Sequence, residues 1–146
     1  GNPKTSPDVL NQYINHPEFD VRITLVYNKG LPSSLLKQLT DDPEWMVRQG
    51  VAKHAATSSD TLTHLMADPM WGVRYFVAQN PSTSSETLNQ MADDVHWEVR
   101  KQVAANPKTS PATLIELLKD SEWEVREAAI RNYATPTQFF KIPNFK

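Results

Sequence analysis

Histidines are the side chains of this sequence that are most suited to catalysis or metal binding. They stand at His16, His54, His64 and His96. None belongs to an H-E-x-x-H pattern, in which two imidazoles and a carboxylate share one helix face. The sequence also contains no G-x-S-x-G nucleophile turn and no cysteine. We therefore expect no enzymatic activity, no metal site and no cofactor.

Adjacent aspartates are the second group that could do chemistry. The pairs Asp41-Asp42 and Asp93-Asp94 could act as a general acid and base. Each pair, however, precedes a segment with helical spacing, where an acidic side chain stabilises the positive end of a helix. The sequence therefore favours helix capping over catalysis at both places.

The composition indicates a folded, soluble domain. Hydrophobic residues make up 39% and charged residues 22% of the 146 residues. No apolar run is long enough to cross a membrane and no signal-peptide pattern is present, so we expect no membrane association. A net charge of −2 argues against a surface dedicated to nucleic acid. The lack of cysteine fits a cytoplasmic location, and a chain that begins at Gly1 is expected to be part of a longer protein.

A repeat of 26 residues organises the elements that must position these side chains. Five Val-Arg pairs recur at that interval, with their arginines at Arg22, Arg48, Arg74, Arg100 and Arg126. The tryptophans share one position of the repeat, at Trp45, Trp71, Trp97 and Trp123. Asparagines share another, at Asn2, Asn28, Asn80, Asn106 and Asn132, with His54 as the exception. The absence of any insertion or deletion makes this a strong repeat signal.

Each repeat is predicted to form two short helices. The first begins with capping sequences such as Thr57-Ser58-Ser59-Asp60, or with Ser110-Pro111. The second is predicted to begin at an aspartate that caps it, and to end before Asn-Pro, because proline disfavours helical geometry in the preceding residue. The capping aspartates are Asp42, Asp68, Asp94 and Asp120, with Pro43 and Pro69 at the first helical position.

Two-helix units of this size cannot bury their apolar faces alone, so they must stack. We predict an all-α fold, an α-solenoid with an armadillo-like or HEAT-like superhelix, as one domain over residues 1–146. Its repeats span 2–27, 28–53, 54–79, 80–105 and 106–131. Residues 132–146 are predicted to form a half-repeat cap; a truncated linker is the alternative. The cap would cover the core with Phe139, Phe140, Ile142 and Phe145.

The segment "WEVRKQVAANPKTSPATLIELLKD" resembles the leucine-rich repeat variant family and, more loosely, HEAT-like repeats. The resemblance covers nearly the whole chain and rests on the Val-Arg and Asn-Pro pairs and on a leucine that recurs every 26 residues. The recurring leucines are Leu10, Leu36, Leu62, Leu88 and Leu114. It implies a right-handed superhelix of stacked α and 3₁₀ helices. A founding member carries an iron–sulfur cluster on cysteines, which this sequence lacks. The family implies no single activity.

The five arginines have two interpretations. They could form a cationic stripe for phosphates or acidic peptides, or an internal ladder in which each arginine pairs with an aspartate of a neighbouring repeat. Packed helices lie ~8–10 Å apart, a gap that Arg and Asp can span together. We favour the ladder with forward pairing, from Arg22 to Asp42 and onward, because it matches four arginines with four aspartates and leaves only Arg126 over.

The tryptophans are too far apart to stack on one another, since repeats spaced by roughly 10 Å exceed the 4.5–7 Å of ring stacking. We expect each indole to pack over the junction between two repeats. The alternative is that their edges are partly exposed and bind a partner.

Binding residues are expected where the repeats differ. Repeat three has Met70 and Gly72 where other repeats have glutamate, followed by Tyr75 and Phe76. This uncharged patch is a candidate protein-binding site; an oversized core residue is the alternative for Phe76. A second candidate is an outward polar row of the first helices, Gln12, Gln38, His64, Gln90 and Glu116. A solvated face is its alternative.

The sequence thus favours a non-enzymatic scaffold that binds a protein or peptide. The alternative is a nucleic-acid-binding module, because HEAT-like solenoids of some DNA-repair proteins use Arg, Lys and aromatic residues. Solvent access to the arginines distinguishes the two functions, and the pairing of Asp with Arg argues against the second.

Overall fold

A computed structural model describes residues 6–140 of the chain, without the side chains of Pro7, Phe139 and Phe140. These residues form ten α-helices in five pairs. The first helices of the pairs are α1 (Pro7–Asn11), α3 (Ser33–Gln38), α5 (Ser59–Leu65), α7 (Ser85–Met91) and α9 (Pro111–Leu117). The second helices are α2 (Phe19–Val26), α4 (Trp45–Lys53), α6 (Trp71–Gln79), α8 (Trp97–Ala105) and α10 (Trp123–Arg131).

The helices pack in two layers. Each second helix packs against the second helices of the neighbouring repeats, and α5, α7 and α9 pack against the second helices of their own pairs. A continuous apolar core lies between the layers, with contributions such as Leu62, Leu88, Val73 and Val77, all fully buried. The predicted all-α solenoid is therefore confirmed. The first helices are α-helical, and the 3₁₀ geometry implied by the family resemblance is found at Thr137–Phe140.

Serine residues cap four of the five first helices, and α3 is the exception, because it begins after Pro32 without a side-chain cap. The Ser58 hydroxyl accepts a hydrogen bond from the Thr61 N–H. Ser84 and Ser110 accept the corresponding bonds from the N–H groups of Thr87 and Thr113. Pro111 follows Ser110 at the first helical position, where a missing N–H has no consequence. These caps satisfy donors that a short helix would otherwise leave without a partner.

The predicted start of the second helices is wrong. Helices α4, α6, α8 and α10 each begin at a tryptophan, three residues after the aspartate, so that Pro43 and Pro69 lie in the preceding turn. The aspartate accepts the N–H two residues ahead, as Asp94 does from His96 at 2.9 Å. The carboxylate therefore closes a turn in front of the helix and also binds an arginine, and in Asp94 the same Oδ1 accepts from both the His96 N–H and Arg74. The same bond recurs at Asp42, Asp68 and Asp120.

The predicted cap falls mainly outside the described residues. The backbone of Thr137–Phe140 forms the 3₁₀ turn. The side chains of Phe139 and Phe140, together with Ile142 and Phe145, lie outside what the structure describes, so their covering of the core stays a prediction. The repeat boundaries also stay a prediction, although α4, α6, α8 and α10 begin 26 residues apart.

Gly50 allows α2 and α4 to pack closely, and we expect Gly50→Ala to destabilise the fold by about 1–3 kcal/mol. A Cβ at this position would overlap a methyl group of Val26, which is fully buried and cannot move aside easily. Gly72→Ala is the matched control, because its Cβ would meet only the flexible amide end of Gln49, at 3.2 Å. We expect the control to be neutral or stabilising by up to about 1 kcal/mol. Urea unfolding measures both, and equal effects would contradict the close approach at Gly50.

Candidate functional site

The arginines and aspartates form the forward ladder that the sequence predicts. Each Arg Nε donates to one carboxylate oxygen of an aspartate in the next repeat at 2.6 Å, and Nη2 donates to the other oxygen at 2.9–3.1 Å. The pairs are Arg22–Asp42, Arg48–Asp68, Arg74–Asp94 and Arg100–Asp120. Such two-point pairing fixes the guanidinium plane as well as its charge.

The third nitrogen of each guanidinium binds the backbone of its own repeat. Arg74 Nη1 donates to the Asp68 carbonyl at 2.7 Å, so this side chain joins its own turn to the carboxylate of the following repeat. Arg126 makes the corresponding bonds to the carbonyls of Asp120 and Ser121. Its forward position would fall at residue 146, outside the described residues. The ladder thus commits four guanidinium groups to holding repeats together.

This pairing shifts the pKa of the aspartates. Burial works to raise the pKa of Asp94, but hydrogen bonds from Arg74 and the His96 N–H, together with nearby positive charge, outweigh it, and the pKa lies below its ordinary value of 3.8. The pKa of Asp120 is lowered in the same way by Arg100 and the Glu122 N–H. Both carboxylates are therefore held in the charged form.

We expect stability to fall as the pH decreases below about 3.8. In that range the unfolded chain binds protons at Asp94 and Asp120 that the folded chain excludes, so protonation favours unfolding. The contribution is complete above the ordinary pKa and is lost as the pH falls through the lower folded-state values. Urea unfolding at a series of pH values measures the slope. An Asp94→Asn, Asp120→Asn variant should show a smaller slope, and an unchanged slope would contradict the assignment.

Asparagines form a second ladder that the sequence analysis missed. Asn106 Nδ2 donates to the carbonyls of Ala78 (2.8 Å) and Asn80 (3.3 Å) in the preceding repeats, while its Oδ1 accepts the Lys108 N–H at 2.9 Å. Asn80 and Asn132 repeat these bonds. The Asn-Pro sequence alone predicts only a helix end. The 26-residue recurrence of the asparagine is the signal that points to hydrogen bonds between repeats.

The outward side of the layer formed by α2, α4, α6, α8 and α10 is called the second-helix face below. It carries a row of aromatic residues one repeat apart. The exposed fractions are 39% for Phe19, 37% for Trp45, 42% for Trp71 and 59% for Trp123. Trp97 is half-buried and packs on the core. Trp45, Trp71 and Trp123 therefore keep part of the indole exposed, which is the alternative that the sequence leaves open beside junction packing.

Helix geometry explains this exposure. Trp71 and the buried Val73 are two positions apart, about 200° around the helix, so both cannot face the core. Trp71 lies at the edge of the buried arc, where its ring stacks on His96 of the next repeat at 5.4 Å between centroids. It therefore covers part of the junction, as expected, while one edge of the indole remains open to solvent.

Repeat three places its unusual residues together on this face. Trp71 and Tyr75 meet edge to face with centroids 6.3 Å apart, and Tyr75 meets Phe76 in the same way at 5.1 Å. Lys53 of the previous repeat holds its Nζ 5.3 Å from the centre of the Phe76 ring, a cation–π arrangement. The cluster thus continues from repeat two, at Lys53, to repeat four, at His96.

Met70 and Gly72 keep negative charge away from this cluster. Their equivalents in repeat five are Glu122 and Glu124. Met70 and Gly72 are half-buried, and Met70 packs on the core, as Tyr75 and Phe76 also do. Of the four candidates of repeat three, the structure brings Tyr75 and Phe76 into ring contact, and Met70 and Gly72 flank Trp71 in the chain. Phe76 is both packed on the core and partly accessible.

The polar row lies elsewhere, on the layer of first helices. Its members are exposed, and three of them bond to neighbours on that surface: His64 to Asp41 at 2.8 Å, Gln90 to Glu86 at 3.2 Å, and Glu116 to Lys119 at 3.4 Å. Gln12 and Gln38 are also exposed. The structure does not join this row to the cluster around Trp71.

Two further observations concern the described residues only. Over residues 6–140, no group of three or more His, Asp or Glu side chains is arranged to hold a metal ion. None of the helices in that range combines the length and apolar character that spanning a membrane requires.

The stacked helix pairs and their two ladders define the class of protein: a helical repeat solenoid. The family model for the Leucine Rich Repeat Variant domain matches residues 75–132. A solved structure described as "a leucine-rich repeat variant with a novel repetitive protein structural motif" is 27% identical, with a TM-score of 0.75 over 98% of this chain. The predicted resemblance is confirmed: residues 75–132 match the leucine-rich repeat variant domain, and the chain is similar in fold to that solved leucine-rich repeat variant.

This chain spans 57% of the length of that solved protein. No curated protein matches the chain significantly. The comparisons therefore show the fold and a resemblance to this family, and the function must be argued from the surface.

Proposed function

We propose that this chain is a non-enzymatic, cytoplasmic repeat scaffold that binds a segment of a partner protein on the second-helix face, around Trp71, Tyr75 and Phe76. The observation that carries the proposal is the exposed aromatic row. Aromatic residues and methionine are enriched at protein interfaces, because they bury a large area with little loss of side-chain freedom. If the tryptophans served only for packing, we would expect them to be buried. Instead, more than a third of the surface of Trp45, Trp71 and Trp123 is exposed.

Differences between repeats support the same location. The ladder arginine recurs in all five repeats, and its aspartate partner recurs in repeats two to five. The cluster shares Trp71 with the other repeats, but its other members occupy positions whose residue type changes from repeat to repeat. Tyr75 corresponds to Gln49 in repeat two and Lys101 in repeat four. Packing therefore does not dictate an aromatic residue at this position.

Nucleic acid is the less favoured partner, because the ladder arginines are bound to aspartates and the second-helix face also carries Glu98, Glu124 and Glu127. We expect no retardation of duplex DNA in a mobility-shift assay at about 150 mM salt, since binding there requires a surface that neutralises several phosphates. A salt-resistant shift would reverse the order of the two functions.

Selection of binders from a random linear peptide library tests the proposal. The best peptide is then titrated against the wild type and against a Met70→Glu, Gly72→Glu variant, which gives repeat three the acids of its neighbours. We expect at least a tenfold loss of affinity, about 1.4 kcal/mol, because an interface centre tolerates charge poorly. Trp71→Ala should cause a similar loss, since much of this ring is accessible without unfolding.

Gln90→Ala, on the other layer, is the matched control and should leave the affinity unchanged. If Gln90→Ala and His64→Ala weaken binding while the repeat-three variant does not, the site lies on the polar row and the assignment to the second-helix face is wrong. Failure to select any peptide would contradict the proposed function itself.

A further inference from the structure

A recess opens on the second-helix face between repeats one and two, where α2 and α4 end. Its volume is about 680 Å³, within the range of pockets that enclose small ligands or large side chains. Its floor and walls include Val26, Tyr27, Gly50, Ala55 and Ala56. The recess is thus lined mainly by methyl groups, backbone and one tyrosine ring.

Two recesses of this face adjoin a small residue at the same position of the repeat. That position is Gly50 in repeat two, Phe76 in repeat three and Ala128 in repeat five. A recess lies beside Gly50, and another of about 530 Å³ lies beside Ala128. In repeat three this position carries the large Phe76 ring, which packs on the core. Gly50 is small because α2 approaches closely there, and the open floor is a consequence of that packing.

Charge distinguishes the two recesses. Lys29 and Lys53 lie at the recess beside Gly50, and none of the described residues that line it carries a carboxylate. The Phe76 ring holds the Lys53 ammonium group nearby, at 5.3 Å. The recess beside Ala128, in contrast, is lined by Glu124 and Glu127 as well as by cations.

We propose that the recess beside Gly50 receives a bulky apolar side chain of a partner peptide, and that Lys29 and Lys53 bind a carboxylate adjacent to that side chain. The apolar lining favours burial of the side chain, and two lysines without an acid beside them complement a negative group. This inference rests on the proposed function, because it assigns a specificity pocket to the same peptide-binding face.

The test compares two double charge reversals with equal change in net charge. Lys29→Glu with Lys53→Glu alters the recess; Lys37→Glu with Lys119→Glu, on and beside the first helices, is the matched control. Peptides selected by the wild type should carry Asp or Glu beside a bulky apolar residue, and the recess variant should bind them at least tenfold more weakly. Tyr27→Ala should also weaken binding, and the control should not.

A small-molecule titration followed by NMR locates the binding independently. The probes are 3-phenylpropionate and its uncharged amide. We expect the anion to shift the backbone resonances of Ala55 and Ala56, and the amide to do so at least tenfold more weakly. Equal effects of the two probes, shifts outside the recess, or no shifts at millimolar probe concentration would overturn the proposal.

The outcomes separate the two proposals. If peptide binding is lost in the Met70→Glu, Gly72→Glu variant but survives the Lys29 and Lys53 reversal, the proposed function stands and the recess assignment is overturned. If no peptide is selected, both are overturned. If phenylpropionate binds at the recess while no peptide does, the site takes a free anion, and its assignment to a peptide is overturned.

Discussion

Replacing Asp94 with alanine is expected to destabilise the protein by about 3–5 kcal/mol, the range for removing one partner of a buried ion pair. Only 13% of the Arg74 side chain and 8% of the Asp94 side chain are exposed, so the remaining guanidinium would be left largely out of water. The loss of the His96 N–H bond adds to the effect. Chemical denaturation of the variant gives the free energy of unfolding directly.

A double-mutant cycle separates the pair from its surroundings. Asp94→Ala should cost much less in an Arg74→Ala background, because the stranded charge is then absent. Glu86→Ala, which removes an exposed acid bonded to Gln90, is the matched control and should change stability by less than about 1 kcal/mol. Additive effects of Arg74→Ala and Asp94→Ala would contradict the coupling that the 2.6 Å contact implies.

Asn106→Ala is expected to destabilise by about 2–4 kcal/mol, because each buried polar group that loses its partner costs about 1–3 kcal/mol. The substitution removes the donor to the Ala78 and Asn80 carbonyls and the acceptor of the Lys108 N–H. Asn106 itself is buried. Water therefore cannot readily replace the lost hydrogen bonds.

The chain offers its own control for this prediction. His54 occupies the equivalent position in repeat three, where Nδ1 accepts the Ala56 N–H at 3.0 Å and Nε2 bonds to the Asn28 carbonyl at 3.0 Å. Asn106→His can form the same two bonds and should lose less than half as much stability as Asn106→Ala. Equal losses would show that the stability comes from the fit of the asparagine and not from its hydrogen bonds.

The periodic features of the sequence predicted the fold and the ladder of ion pairs. Four arginines could be matched with four aspartates in only one direction without meeting His16, and the structure has that direction, beginning at Arg22 and Asp42. The argument succeeded because spacing and charge balance do not depend on local conformation. The same kind of argument would have applied to the recurring asparagines, whose amides bond to the preceding repeats.

Local conformation was harder to predict. An aspartate followed by proline suggests a helix cap, but Asp68 instead closes a turn through the Met70 N–H and binds Arg48. Competing hydrogen bonds of this kind cannot be ranked from sequence. The exposure of Trp71 could not be decided from sequence, because an aromatic residue that recurs with the core valines fits both junction packing and a partly exposed edge. The recess beside Gly50 depends on the approach of Val26, which no sequence pattern reports.

The direction of the two ladders has a consequence for how chains of this type change in length. Four units give an arginine to the unit after them, as Arg74 does to Asp94, and three asparagine amides bond to the units before them, as Asn106 does to Ala78. Duplication or loss of a whole unit that carries both residues therefore preserves these donor–acceptor matches at the new junction, whereas insertion of a single residue would disturb both kinds of bond. Selection on such a gene constrains the period of the repeat and leaves the number of units free to vary.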